Sequence, residues 1–298
     1  MMDTPKLLFK SYFGNDFFRS LQEEIISHVM QRKHALVLMP FVNVFFSEIN
    51  TRAIVTNKAY YKTSYELVHN GGETYARIIE EIDKAGYFQQ TLLLNTADYG
   101  LPQKRYRVYI FARRKLFRKF SFSENDIKSH FEGINNSSCS LAIYKDVLDI
   151  LSKQVAPKYY LSERVKPTIL SDGTGGYKSH SEIDQIIART LTATMNKMHR
   201  ACQDNYYSDE FLLSNGKSRP SERMDKEELA KISIRKLTPE EAFLLQGFPA
   251  EFVKNARKQG VSDGALYTQS GNAVSVNTIY ALLHYLITNH IIQCQHKK

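Results

Sequence analysis

The sequence contains few cysteines and no paired cysteine motif. Cys139, Cys202 and Cys294 are its three thiols, and no two of them form a CxxC pair. Disulfide scaffolds and thiolate zinc sites both need several cysteines at short spacing. The sequence therefore excludes both classes, and we expect no bound metal.

Long apolar runs are also missing. No stretch approaches the roughly 20 residues of a membrane-spanning helix. The first residues lack the uninterrupted apolar core of a secretory signal peptide. We therefore expect a cytoplasmic protein with no membrane partner.

The chain does contain an excess of positive charge and enough apolar residues for a core. Forty Lys and Arg against 31 Asp and Glu give a formal charge of +9, and 43% of the 298 residues are hydrophobic. This length and composition suit one large domain or two smaller ones. The charge favours a polyanionic partner such as nucleic acid, although a merely basic soluble protein would have the same balance.

The first 115 residues alternate between helix and strand patterns, which indicates an α/β sheet with helices on its faces. Only about three strands are apparent, fewer than a complete doubly wound sheet normally has. The predicted elements are a helix capped by Asp16 with apolar Phe18, Leu21, Ile25 and Val29, a buried strand at 35–39, a helix capped by Thr74 and stopped at Gly86, and strands at 91–94 and 108–112.

Two further segments follow. Residues 116–231 have weak helical periodicity and recurrent polar clusters, which predicts a loop-rich, mostly β domain of short strands. Residues 232–298 return to helix. Thr238 and Glu241 form a capping box with Pro239 at the first helical position, Gly247 is a stop signal, and a closing helix is predicted at 276–287.

Gln103, Arg105 and Arg107 form a QxRxR pattern at the start of a predicted strand. Arginines two residues apart project from the same face of a strand, where both could reach one phosphate or one base. The alternative is a solvated basic strand edge.

Three blocks occur in fixed order, at 95–107 (NTADYGLPQKRYR), 235–249 (RKLTPEEAFLLQGFP) and 269–274 (QSGNAV). Together they resemble the eighth, ninth and tenth motifs of the cytosine-C5 DNA methyltransferases. The resemblance implies an incomplete doubly wound methyltransferase-type sheet and a target-recognition domain. It also implies methyl transfer from S-adenosylmethionine to C5 of cytosine in double-stranded DNA, as in restriction-modification.

Site residues follow from the same resemblance. Gln103, Arg105 and Arg107 would support catalysis and face the DNA, and Gly271, Asn272 and Ala273 would contact S-adenosylmethionine, unless they form an ordinary turn. The ninth-motif block would support the recognition domain. Within 116–231 the residues expected to bind DNA are Thr190, Leu191, Thr192, Lys197 and Arg200, and the alternative is a β-rich surface with scattered polar side chains.

Two short sequences imitate catalytic motifs. Ala201, Cys202 and Gln203 lack the proline of a Pro-Cys-Gln nucleophile motif and follow the QxRxR block, whereas the motif should precede it. The glycine-rich stretch at 173–176 follows no predicted strand and opens no helix, so it fails the test for a nucleotide-binding loop.

The family's Gly-rich first motif and its Pro-Cys-Gln nucleophile are expected before Asn95, and neither is present there. Val42 stands where the resemblance calls for the acid of a Glu-Asn-Val motif. We expect the isolated chain to be inactive. Either a second methyltransferase polypeptide supplies the nucleophile and cofactor loop, or the chain is a truncated fragment or pseudoenzyme that only binds DNA.

Overall fold

The computed structural model describes residues 35–38, 43–46, 52–55, 58–59, 73–84, 86–115, 119–134, 141–173 and 178–292. The chain divides into two compact units. The first comprises Met1–Leu93, Val108–Phe122 and Asn289–Lys298, and the second comprises Leu94–Arg107 and Ser123–Thr288. The division into segments 1–115, 116–231 and 232–298 remains a prediction.

Strands make up most of the described part of the first unit. Strands β1 (Ala35–Leu38), β2 (Asn43–Phe46) and β3 (Arg52–Val55) form an antiparallel sheet in that order. A second sheet has the order β4 (Lys58–Ala59), β7 (Tyr106–Arg114), β5 (Tyr87–Asn95). Helix α1 spans Glu73–Lys84.

The core of this unit lies between α1 and the strands β5 and β7. Ile82 of α1 is buried with Tyr87, Val108, Ile110 and Ala112 of the two strands. The helix begins at Glu73, so Thr74 lies inside it and does not cap it. Gly86 follows the helix with a φ of +79°, in the left-handed region that glycine occupies without steric cost.

The predicted doubly wound sheet is not seen among the described residues. Four residues separate β1 from β2, far fewer than the dozen or more that a parallel crossover requires, and the two strands pair antiparallel. The structure is therefore mixed α/β with small sheets. The helix predicted after Asp16 and the chain end at 293–298 lie outside the described residues.

Helices and turns make up most of the second unit. Its strands are β6 (Gln103–Lys104), β8 (Ala188–Arg189), β9 (Tyr206–Ser208) and β10 (Ile234–Lys236), in the pairs β6–β8 and β9–β10. Its helices are α2 (Glu124–Glu132), α3 (Lys166–Leu170), α4 (Asp209–Leu213), α5 (Lys226–Leu229), α6 (Pro239–Leu244), α7 (Glu251–Lys258), α8 (Asp263–Asn272) and α9 (Val276–Thr288). No helix within the described ranges has both the length and the apolar character needed to cross a membrane.

Segment 116–231 is loop-rich, as predicted, but the expectation that it is mostly β was wrong. Across its described residues the strands are β8 and β9, and short helices are more numerous. Polar side chains cap three of these helices: Ser123, Ser208 and Asp225 each accept a backbone N–H in the first turn of the following helix. Such local hydrogen bonds favour short capped turns over extended strands.

The C-terminal predictions are confirmed in detail. Thr238 Oγ1 accepts the Glu241 N–H at 3.2 Å, and Glu241 Oε2 accepts the Thr238 N–H at 2.8 Å, which completes the capping box. Gly247 has a φ of +84° after α6, and α9 ends one residue beyond the predicted limit.

Asp184 supports a prediction about pH. Its carboxylate is buried and accepts hydrogen bonds from the Ser208 N–H and hydroxyl, at 2.7 and 2.9 Å. Burial raises the pKa of Asp184 to about 6. Since its pKa in the unfolded chain is about 4, the folded state binds this proton more tightly. This group's contribution to stability is therefore present at low pH and is lost as pH rises through about 6.

Compared with Asp184→Asn, the wild-type chain should lose up to about 3 kcal/mol of unfolding free energy between pH 4 and pH 7. Urea denaturation of both proteins across this pH range measures the difference. Asp184→Asn serves as the control because its other titrating groups are unchanged. Parallel stability curves for the two proteins would contradict the assignment.

Candidate functional site

The QxRxR block is paired with the stretch predicted to bind DNA, residues 188–204, which we call the recognition segment. Strands β6 and β8 are parallel, with Gln103 opposite Ala188 and Lys104 opposite Arg189. The pairing extends on both sides: the Ala188 N–H donates to the Pro102 carbonyl at 2.8 Å, and the Thr190 hydroxyl donates to the Lys104 carbonyl at 2.7 Å. The two segments are 86 residues apart between Lys104 and Thr190, so only the fold brings them together.

Gln103 links this pairing to the ninth-motif block. Its side chain is fully buried, its Nε2 donates to the Leu245 carbonyl at 2.9 Å, and its Oε1 accepts the Leu191 N–H at 3.1 Å. A buried amide whose oxygen and nitrogen are both engaged fixes the relative position of the two backbones it bridges.

Arg105 joins three parts of the chain at one buried point. Its guanidinium donates to the Leu191 carbonyl from Nη1 at 2.9 Å, and to the Gly271 and Ala273 carbonyls from Nη2 at 2.9 and 2.8 Å. The residue is 1% exposed. We call this contact of Arg105 with Leu191, Gly271 and Ala273 the arginine junction. It connects the QxRxR block, the recognition segment and the tenth-motif block.

The backbone of Arg105 is held as firmly as its side chain. The Asn95 side chain accepts the Arg105 N–H at 3.0 Å, and the Arg105 carbonyl accepts the Thr96 N–H at 2.9 Å. Asn95, Thr96 and Arg105 belong to the same sequence block, so these hydrogen bonds stabilise the block internally.

Gly271 gives the arginine junction its close fit. A Cβ atom at this position would lie 2.2 Å from the Thr192 carbonyl carbon and 2.4 Å from the Ala193 nitrogen. No side chain can be placed there without moving backbone. The tenth-motif glycine therefore permits direct backbone contact with the recognition segment.

The structure revises the expected roles of the two arginines. Arg105 is turned inward, and its guanidinium is committed to main-chain carbonyls. Arg107 is 5% exposed, with Nη1 donating to the Tyr106 carbonyl at 2.8 Å. Spacing along a strand sets the direction of side chains but does not reveal what covers that face. Both arginines are buried here, and a contact of either with DNA stays a prediction.

Two of the three tenth-motif residues make internal contacts, and the side chain of the third is available. The carbonyls of Gly271 and Ala273 are used by Arg105, while Asn272 is partly buried and its side chain makes no hydrogen bond with another described residue. One amide is too little to hold S-adenosylmethionine, so the described residues do not by themselves form a cofactor site. Asn272 is the residue of this block that could contribute to one.

The residues expected to contact DNA lie in different environments. Leu191 is 2% exposed and belongs to the apolar core of the unit, so its side chain is not at a DNA-accessible surface. Thr190 and Thr192 are partly exposed, Lys197 is exposed, and Arg200 is partly exposed. Cys202 follows them in a turn and is partly buried.

A buried ion pair was not foreseen from the sequence. Arg235 and Glu241 form a two-pronged contact, with Nη1 to Oε2 at 2.9 Å and Nη2 to Oε1 at 2.8 Å, and both side chains are almost fully buried. Glu241 also accepts the Ser152 N–H at 2.9 Å, and Arg235 donates to the Ser152 carbonyl at 2.8 Å. The capping box located Glu241, but its fit to an arginine fork six residues earlier had no sequence signal.

Comparisons with known proteins agree with the ordered blocks. A family model described as C-5 cytosine-specific DNA methylase matches residues 64–288. The type II methyltransferase M1.ScrFI of Lactococcus lactis subsp. cremoris is 28% identical over 231 residues, covering 74% of this chain and 48% of that protein. The type II methyltransferase M.HaeII of Haemophilus aegyptius is 30% identical over 223 residues, covering 74% and 57%. The chain thus spans about half the length of the curated relatives it matches.

Solved structures give the same likeness at the level of the fold. The methyltransferase EhMeth of Entamoeba histolytica matches with a TM-score of 0.52 and 18% identity, over 74% of this chain and 59% of that one. The Dnmt2 methyltransferase of S. pombe matches with a TM-score of 0.51 and 17% identity, over 74% and 64%.

Proposed function

This chain belongs to the C-5 cytosine-specific DNA methylases, and we propose that it supplies target recognition and part of the active-site frame of an enzyme that methylates cytosine in double-stranded DNA. The methyl group would pass from S-adenosylmethionine to C5 of the base. The arginine junction carries the proposal, because it ties the eighth- and tenth-motif blocks to the segment expected to recognise DNA in one buried contact.

Charge and exposure support the DNA partner. The chain carries a formal charge of +9. Lys197 is exposed, and Thr192 and Arg200 are partly exposed, just beyond the residues that Arg105 and Gln103 hold in place. Basic and hydroxyl side chains on a rigid backbone suit contact with phosphates and with the edges of nucleobases.

The nucleophile is proposed to come from outside these 298 residues. They contain no Pro-Cys-Gln sequence. Cys202, the thiol that the structure describes, lies within the recognition segment in a turn that follows Ala201. A catalytic thiolate must share a pocket with the groups that activate it and stabilise its adduct, and the sequence around Cys202 gives no such arrangement.

A labelled-methyl assay tests the proposal. The full chain, duplex DNA and S-adenosylmethionine labelled in its methyl group are incubated alone, or with a polypeptide carrying a Gly-rich first motif and Pro-Cys-Gln. We expect no label in DNA from the chain alone and incorporation with the complement. A complement whose motif cysteine is replaced by serine is the matched control and should abolish transfer.

Each other outcome has a definite meaning. Label transferred by the chain alone would overturn the placement of the nucleophile outside it. DNA binding without transfer, even with the complement present, would favour the alternative of a pseudoenzyme that only binds DNA. Such binding should weaken steeply with salt, because phosphate contacts release counterions.

A further inference from the structure

A loop within the recognition segment, residues 192–204, is closed by the buried carboxylate of Asp204. Asp204 Oδ1 accepts the Thr192 hydroxyl at 3.4 Å, and Oδ2 accepts the His199 N–H at 2.9 Å. The next residue, Asn205, forms two hydrogen bonds with the Arg189 backbone, at 2.7 and 3.1 Å. The C-terminal end of this loop is therefore fixed to β8, which is itself paired with the QxRxR block.

His199 is held at three of its four polar atoms. Its N–H donates to Asp204, its ring Nδ1 lies 3.1 Å from the same carboxylate oxygen, and its carbonyl accepts the Tyr206 hydroxyl at 2.6 Å. The fourth atom, Nε2, has no hydrogen-bond partner among the described residues. The side chain is 34% exposed, so the ring is both restrained and accessible.

The residue before His199 adds to this restraint. Met198 has a φ of +57°, which is costly for a side chain other than glycine or asparagine, and it packs against the apolar cluster that contains Leu161, Ile169 and Ala201. A strained backbone persists only where surrounding contacts over-determine it. Core packing therefore holds the backbone at Met198, and Asp204 holds the ring of the next residue, His199.

We propose that His199 is a specificity-determining residue that reads one base of the target through Nε2. The inference rests on the proposed function, because it takes DNA to be the partner of this segment. A ring fixed in position can hydrogen-bond only in a set direction, which suits a base edge. The exposed Lys197 is a flexible point charge that suits a phosphate.

The chemistry of the contact follows from the hydrogen on Nδ1. Asp204 accepts from the Thr192 hydroxyl and the His199 N–H, so its carboxylate acts as acceptor and Nδ1 carries the proton between them. In the neutral ring Nε2 is then an acceptor. The bases that offer a donor in the major groove are cytosine, through its N4 amino group, and adenine, through its N6 amino group.

Selection from a randomised duplex library, with sequencing of the bound fraction, tests the inference on the full chain. The wild-type chain should prefer cytosine or adenine at one position of its site. His199→Ala should reduce that preference roughly 10- to 100-fold at this position alone. The dependence of its affinity on salt should be unchanged, and thermal unfolding verifies that the variant is folded.

Lys197→Ala is the matched control, from the same loop. It should weaken binding to all sequences alike and reduce the salt slope by about one, without changing base preference. If His199→Ala behaves in this way, His199 is a phosphate contact and the inference is wrong. It is also wrong if wild-type selectivity persists in His199→Ala. Failure of the wild-type chain to bind duplex DNA would overturn the proposed function itself.

Discussion

Glu241→Gln is expected to lower the free energy of unfolding by about 3–5 kcal/mol. The substitution removes the charge opposite Arg235, whose guanidinium is fully buried and cannot recover water in the folded state. It also replaces one carboxylate oxygen by an NH₂ group, so that the backbone N–H of either Ser152 or Thr238 loses its acceptor. Urea denaturation followed by circular dichroism measures the change.

The neighbouring Glu240→Gln is the control. Glu240 is partly exposed and pairs with Arg257 on the surface, where ion pairs contribute about 1 kcal/mol or less. Combining Arg235→Met with Glu241→Gln should recover part of the loss, because no buried charge is then left alone. Equal small effects of the two glutamine variants would refute a structural role for the buried pair.

Gly271→Ala should have a comparable effect through sterics alone. The added Cβ would meet the Thr192 carbonyl carbon at 2.2 Å, and the atoms in the way are backbone, which cannot rotate aside. We expect a loss of about 3 kcal/mol or more, at the upper end of overpacking costs. Separation of these backbones should also weaken the contacts of Arg105 with Leu191 and Gly271.

Gly264→Ala provides the comparison, since both glycines lie in α8. At Gly264 the nearest atom to an added Cβ is 3.8 Å away, an ordinary contact. Alanine favours helix, so the free energy of unfolding of this variant should be unchanged or higher by up to about 1 kcal/mol. Hydrogen exchange at 188–192 gives a second measurement: faster exchange is expected in Gly271→Ala only. Similar stability of the two variants would contradict the close approach.

Features that depend on neighbouring residues were predicted well. The capping box at Thr238 and Glu241, the left-handed Gly86 and Gly247, and the limits of α9 depend on contacts within a few residues. Periodicity and capping report such contacts directly. Strand pairing in the first unit was predicted less well, because a run of apolar residues does not indicate which strand it pairs with or whether the pairing is parallel.

Three residues that the sequence singled out lie together in the structure, but their contacts could not be predicted from the sequence. The sequence singled out Gln103, Arg105 and Gly271, and all three lie at or beside the arginine junction. Their tasks differ from expectation: Gln103 and Arg105 hydrogen-bond main-chain groups, and Gly271 makes room for Thr192. His199 and its partner Asp204 were missed, since a histidine five residues before an aspartate has no distinctive sequence signature.

The family of this protein was determined by its sequence alone, because the order and composition of the three blocks can be recognised without knowing any contact. The tertiary structure decided that Arg105 faces inward and that the recognition segment rests on it. The carbonyls that Arg105 binds lie 86 to 168 residues away along the chain. Spacing fixes where a side chain points, but burial and hydrogen-bond partners come from distant segments, and only folding brings these together.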